Sequence, residues 1–318
     1  MLALEARAPG SQAVALPADA PLRQALRGRV RVVPIPFRAA IRGTASLGRA
    51  IRQISPDVIA AHTSHAHSHA VRVAGGRAVI VHRRVDFAPR QNPLSRLTYR
   101  AATGYIAVSA AVADVLRRWG IPAEKVVVVH DGVDSSAIDA ARPDRDGLRR
   151  ELGVPPHQRL ILAVGALVPH KGHRYLIDAL EGADTTCLIA GEGPLRARLA
   201  RRAALRGVDL RLLGQRTDIP RLLKSVHVFC HPSVDEGLGQ VVIEAVLAAV
   251  PMAVTRAGGI PEVLGDGVPP GNALALAARL RDPRRFTSRE RDDVRKRFSV
   301  ASTAEQARLA YQQWTPRR

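Results

Sequence analysis

Cysteine is nearly absent: Cys187 and Cys230 are the only two in 318 residues. Two thiols make neither a disulfide scaffold nor a four-cysteine zinc site. Both lie in apolar, strand-like runs, which reads as buried free thiols. Aromatics are 3% of the chain, too few for the stacking platforms that hold single-stranded nucleic acid. Helix-turn-helix, zinc-finger and RNP patterns are missing as well. No window holds eighteen uninterrupted apolar residues, which excludes a membrane-spanning helix. Nothing at the N-terminus has the charged-then-apolar order of a secretory signal. Lysine is scarce too. Lys125, Lys171, Lys224 and Lys296 stand against 44 arginines.

What is present is an ordinary globular balance, 46% hydrophobic and 24% charged, with a formal net charge of +20. The length suits about two domains. The field favours anionic partners such as phosphate esters or membrane surfaces, although a chain-wide preference for arginine accounts for the charge equally well. Short β-branched runs alternate with amphipathic stretches. Strands are expected over 30–34, 57–61, 78–82, 105–108 and 126–130, and again over 160–164, 186–190, 210–213, 226–230 and 252–255. Helices are expected between them, at 45–54, 110–119, 174–180, 195–205, 219–225 and 240–249. This alternation implies βαβ units, parallel sheets and two doubly wound α/β domains. The join falls in the Asp-, Arg- and Pro-rich stretch 134–156, and 300–314 has helical spacing.

The most informative stretch is 226–249. A strand leads into His231-Pro232-Ser233, then Asp235-Glu236-Gly237-Leu238-Gly239, then a helix bearing Glu244. Two glycines at a strand-to-helix turn let backbone approach a ligand, and a helix start offers unpaired N–H groups and a positive dipole end that suit phosphate. One carboxylate suits a sugar hydroxyl and the other a ribose diol. The plainer alternative is a helix-start charge at Glu236 and a solvated Glu244. However, Glu244 sits among Val241, Val242, Ile243, Ala245 and Val246, where a carboxylate needs a partner.

Here the chain resembles a known family. Glu236 and Glu244 have the E-x7-E spacing of retaining glycosyltransferases of GT-B fold, family 4 (glycosyl transferases group 1). Upstream, 164–172 is similar to that family's V-G-R-L…K-G turn, 190–194 to its G-x-G-P loop and 213–214 to its L-G segment. Downstream, 257–263 resembles its G-G-I-P-E-V loop, while 107–109 and 131–134 resemble the signatures closing its N-terminal domain. The resemblance covers roughly 12–265 and implies two Rossmann-like domains facing a cleft. The expected boundaries are 1–140 for an acceptor-side domain, 141–298 for a nucleotide-sugar domain and 299–318 for a C-terminal helix.

The resemblance also implies roles. Lys171, after the tight turn at Gly165, neutralises the diphosphate leaving group. Gly191, Glu192 and Gly193 approach the nucleoside. The amides at Gly237, Leu238 and Gly239 meet the phosphates, Glu244 grips the ribose, and Glu236 contacts the sugar ring. His62, at the end of a strand, reaches the donor sugar or phosphate, and His65 is the second choice. Arg83 and Arg84, in the run Arg83–Phe87 with Arg90, lie on the acceptor side or form a solvated basic loop. The histidine-rich run 62–69 suggests a metal tract by composition alone, but the family needs no metal and no cofactor beyond its UDP-, GDP- or ADP-linked donor.

Three departures stand out. The chain begins within what resembles the family's first helix, at Met1–Glu5, so the first strand and its Gly-Gly loop are missing from the N-terminal domain. Ala166 replaces the arginine of V-G-R. The segment after Gly265 is short. The expected function is transfer of a sugar to a cell-envelope glycan or lipid-linked acceptor, in the cytoplasm or peripherally on the inner face of the membrane, with anionic lipid as a further contact and no specific nucleic acid. Two alternatives remain open: a degenerate, non-catalytic nucleotide-sugar binder, and a basic nucleic-acid-binding protein.

Overall fold

The computed structural model describes residues 12–85 and 87–315. The expectation at Met1–Glu5 and the Asp86 of the run Arg83–Phe87 lie outside these. The chain forms two compact units: one ends at His130 and resumes at Val300, and the other spans Asp131–Ser299.

The first unit runs β1 (Ala13–Leu16), α1 (Leu22–Leu26), β2 (Arg31–Pro34), α2 (Ala40–Ile54), β3 (Val58–Ala61), α3 (Ser64–Val73), β4 (Ala78–Arg83), α4 (Pro93–Arg100), β5 (Gly104–Ala107), α5 (Ala110–Trp119) and β6 (Val126–Val128). Its described strands are all parallel and form two sheets, β1-β2 and β3-β4-β5-β6. β4 and β5 are almost wholly buried, as expected of parallel strands covered on both faces. α5 shows how locally the ends are fixed: Ser109 caps its first turn, accepting from the Val112 amide, and Gly120 ends it with φ of 104°.

The second unit contains α6 (Ser136–Ala140), α7 (Arg145–Leu152), β7 (Arg159–Val164), α8 (His173–Ala179), β8 (Thr185–Ala190), α9 (Arg196–Leu205), β9 (Asp209–Gly214), α10 (Ile219–Ser225), β10 (Val228–His231), α11 (Gln240–Leu247), β11 (Met252–Val254), α12 (Ile260–Leu264), α13 (Ala273–Arg281) and α14 (Ser288–Arg297). Its five strands form one parallel sheet, β11-β10-β7-β8-β9. Ile161, Ala163, Cys187, Ile189, Val228 and Cys230 pack in its core against Leu176, Ile177 and Leu199. Both cysteines are free and buried.

The stretch expected to be a linker is structured. Asp144 caps α7. Its carboxylate also meets Arg221 at 2.8 Å, and Glu151 meets Arg216 at 2.7 Å. Arg295 holds Asp139 at 2.7 Å and Lys224 donates to the Ala141 carbonyl, so α6 belongs to the second unit. The division therefore falls at 130/131, ahead of the expected 140/141.

The last helix, α15 (Val300–Trp314), returns to the first unit. Ala307 and Ala310 pack on Ile80, Ile106 and Val129. The Trp314 ring lies so close over Gly104 that a Cβ there would fall 2.4 Å from it.

Candidate functional site

In a doubly wound sheet, ligands bind beyond the carboxyl ends of the strands. Five loops of the second unit meet at that edge, and backbone contacts lock them together. Gly165 follows β7, and its amide donates to Ala190 O at the end of β8. The Leu167 amide donates to Glu192 O, and Gly191 N donates to Gly214 O at the end of β9. Gly191, with φ of 153°, leaves no room for a side chain: a Cβ would fall 2.0 Å from Gly165 O. The Val234 amide, beyond β10, donates to His170 O. Gly258, with φ of 49°, presses on the Glu236 backbone, where a Cβ would fall 1.6 Å from the carbonyl oxygen.

These loops bring charged groups together. Lys171 Nζ lies 2.7 Å from Glu236 Oε2. The same oxygen lies 2.7 Å from His231 Nε2 and accepts from Ser233 Oγ at 3.2 Å. Thr255 Oγ1 donates to the Ser233 carbonyl and fixes that turn from behind. Burial alone pushes the Glu236 carboxyl up, but the hydrogen bond and pull of His231 and the Lys171 ammonium outweigh it and hold it at about 2. A buried carboxylate anchored in this way holds Lys171 over the turn.

Beside the pair, Gly239 opens α11 with φ of 85°. Among the described residues, the amides of Gly237, Leu238, Gly239 and Gln240 reach no acceptor. The start of α11 thus presents several donors and the positive end of its dipole. Glu244 follows one turn further on, half-buried, and its carboxylate has no hydrogen-bond or ion-pair partner among the described residues. Burial raises its carboxyl above the usual range. Glu192 is exposed and paired with Arg196 at 3.3 Å.

The histidines expected to be functional belong to the first unit. His62 follows the end of β3, half-buried, and stacks on His82 with ring centres 4.2 Å apart. Arg84 Nη1 lies 3.1 Å from His62 Nδ1. His82 Nε2 meets the Tyr311 hydroxyl of α15 at 2.7 Å. Burial comes first, followed by His62 and Arg84, in pushing His82 well below the ordinary histidine range. His65 is exposed on α3. His67 and His69 are buried: His67 packs edge-on to Tyr99, and His69 bridges Thr44 and the Phe37 carbonyl. Among the described residues no group of three or more His, Cys, Asp or Glu is placed to hold a metal ion.

Arg83 corrects one expectation. It is buried, and its guanidinium bonds Val85 O, Phe87 O and the Tyr99 hydroxyl. It braces its own loop and is not available to an acceptor. Two contributors were quoted in the sequence motif without a role: His231 and Ser233, which hold Glu236. A histidine ending a strand five residues before a buried acid was the available signal. The His82–Tyr311 bond joins residues 229 apart, and no local pattern announces it.

Two family models match the chain in succession. Glycosyltransferase Family 4 matches residues 7–137, and Glycosyl transferases group 1 matches residues 144–285. The chain belongs to the family 4 glycosyltransferases. Relatives in this family include 2-deoxystreptamine glucosyltransferase of Streptomyces kanamyceticus, 29% identical over 64% of this chain and 55% of that protein. Alpha-maltose-1-phosphate synthase of Mycobacterium tuberculosis is 35% identical over 53% of this chain and 47% of that protein. The chain thus spans about half the length of these curated relatives. Among solved structures, Anabaena HepE in complex with UDP superposes with a TM-score of 0.82 at 22% identity, covering 98% of this chain and 94% of that one. A sucrose-phosphate synthase from Thermosynechococcus elongatus gives 0.72 at 18% identity, covering 89% and 83%. These likenesses establish the GT-B fold, with two Rossmann-like domains.

Proposed function

We infer that the protein is a retaining glycosyltransferase that moves a sugar from a nucleotide-sugar donor to a cell-envelope glycan or a lipid-linked acceptor. The observation that carries this reading is the carboxyl edge of the second unit. Lys171 is held by a buried carboxylate next to the open amides of α11, and the half-buried Glu244 has no partner of its own. A nucleoside diphosphate meets all three needs: phosphate oxygens for the ammonium and the amides, and a ribose diol for Glu244. The HepE structures with UDP and UDP-glucose make UDP the natural probe.

In the proposed reaction the bond between sugar C1 and the phosphate oxygen breaks, and its electron pair leaves with the diphosphate. Lys171 has three N–H donors, so it keeps Glu236 while donating to the departing oxygens. The α11 amides stabilise the same charge without reorganising. Glu236 lies beside Lys171 and positions the sugar ring. An acceptor hydroxyl attacks C1 from the face the leaving group vacates, and its proton passes to the leaving phosphate oxygen. The reading places the protein in the cytoplasm, at the inner face of the membrane.

A turnover assay with UDP-glucose, and with GDP- and ADP-linked donors, tests this. Donor-dependent release of the nucleoside diphosphate, abolished by Glu236→Ala, is the expected result. One feature favours a second reading, a binder without turnover. Ala166, where the family carries arginine, is exposed and leaves one phosphate-facing cation missing. Tight nucleotide binding with no release from any donor selects that reading.

A further inference from the structure

A buried histidine beside Lys171 has no part in the reaction proposed above. His173 opens α8, two residues after the lysine, and is 3% exposed. A polar side chain this deep needs a hydrogen-bond partner. Its Nε2 lies 3.2 Å from the Ala166 carbonyl oxygen. A carbonyl oxygen only accepts, so Nε2 donates. Nδ1 reaches no partner among the described residues. Burial is the largest influence on the ring and lowers it to about 4, against the pull of the Ala166 and Gly165 carbonyls; His231 and Lys171 push the same way as burial. The ring is therefore uncharged at neutral pH and acts as a plain donor.

What it holds is the turn between β7 and α8. The Ala166 carbonyl takes two donors, the Val168 amide at 2.9 Å from within the turn and His173 from the helix. The helix end of this contact is wedged in place. Gly172 has φ of 67°, and a Cβ there would fall 1.9 Å from the Pro232 carbonyl oxygen. Leu176 and Ile177, one turn on, sit in the core. The turn end is looser: Ala166 is exposed, and its amide reaches no acceptor among the described residues. The Lys171 side chain runs back across this same turn. A Cβ on Gly165 would lie 3.5 Å from Lys171 Cδ and 3.8 Å from its Cε. The stem that carries Nζ to Glu236 thus rests on the segment that His173 pins.

We propose that His173 is a positioning residue: its Nε2–H clamps the Ala166 carbonyl, and the clamped turn holds the Lys171 stem so that Nζ faces the phosphates of the donor. The last step rests on the function proposed above; the clamp itself does not.

Three replacements separate the donor from the space it fills. A glutamine amide nitrogen overlies the place of Nε2, an asparagine amide that of Nδ1, and leucine fills the volume without a donor. Melting curves of the full-length variants check the fold, and His173→Asn carries the comparison if His173→Leu does not fold. In the protein without nucleotide, amide hydrogen exchange over residues 165–171 should quicken roughly tenfold in His173→Leu and His173→Asn and stay near wild type in His173→Gln. In calorimetric titration with UDP, His173→Leu should weaken binding roughly tenfold and His173→Gln less than about threefold. In a Lys171→Ala background His173→Leu should add no further loss, because its effect passes through that ammonium. A packing role alone would not show this coupling.

Four results overturn the proposal. Exchange is unchanged in both His173→Leu and His173→Asn; His173→Gln is as damaging as His173→Leu, so the donor is irrelevant; UDP affinity is unchanged although exchange quickens; or the affinity loss persists in full in the Lys171→Ala background, so the fold at large is responsible. If the wild type binds no UDP, GDP or ADP, the proposed function falls, and the exchange measurement alone decides the clamp.

Discussion

Lys171 Nζ and Glu236 Oε2 lie 2.7 Å apart, although 65 residues separate them in the chain. The pair is largely buried, and the carboxylate is further held by His231 and Ser233. Removing one partner of such a pair leaves the other charged group without its match, which costs more than the pair contributes. Glu236→Ala is therefore expected to lower the melting temperature as well as donor turnover, and Glu236→Gln to lower turnover with a smaller thermal penalty. Equal melting temperatures for wild type and Glu236→Ala would show that the carboxylate does not organise the loop.

The depressed carboxyl also sets an acid limit. A group whose folded-state value is lowered contributes stability above its unfolded value, and that stability is lost as pH falls through the folded one. For Glu236 the window runs from the usual glutamate range of 4.5 down to about 2. Chemical denaturation across that range should show a stability loss in the wild type that is smaller in Glu236→Gln. A parallel pH dependence in both would assign the acid sensitivity to other carboxyls.

Glu244 behaves oppositely. Its carboxyl is raised by burial, so the ionised form costs stability at neutral pH, and the cost fades as pH falls through the raised value. Glu244→Gln should raise the unfolding midpoint at neutral pH and lose that advantage in acid, while weakening UDP binding roughly tenfold by removing the charged acceptor. The binding loss should disappear with a nucleotide lacking both ribose hydroxyls. If Glu244→Gln leaves UDP affinity unchanged, the carboxylate does not hold the nucleoside.

Gly258 supplies a steric test. Its positive φ and its contact with the Glu236 backbone leave no space for a methyl group. Gly258→Ala should displace the Glu236 turn, costing about 1–3 kcal/mol of stability and reducing donor binding together with it. Retained UDP affinity in a folded Gly258→Ala protein would show that the loop tolerates the shift.

The elements that were legible in the sequence carry their own signals. Most strands of the two larger sheets hold short apolar runs, and α5 has a serine cap before it and a glycine behind it. α4, α7 and α14 were missed because each is short and mostly polar. α7 is stabilised by a cap and by ion pairs from α10, and propensity does not show tertiary partners. α14 carries a capping box, Thr287 with Glu290, which was readable. At the site, the glycine turns, Lys171 and the two glutamates were visible as spacing. The grip of His231 and Ser233 on Glu236 was not, because it depends on how a strand end folds back. Arg83 was misassigned because a run of two arginines does not reveal which one is buried.

The central claim is that Lys171 meets a diphosphate at the start of α11. Calorimetric titration of UDP into the wild type, Lys171→Ala and the remote control Arg198→Ala tests it most directly. The account predicts an affinity loss of roughly thirtyfold or more for Lys171→Ala, the scale of a charge-assisted bond, with the control unchanged. Equal dissociation constants for the wild type and Lys171→Ala would contradict it.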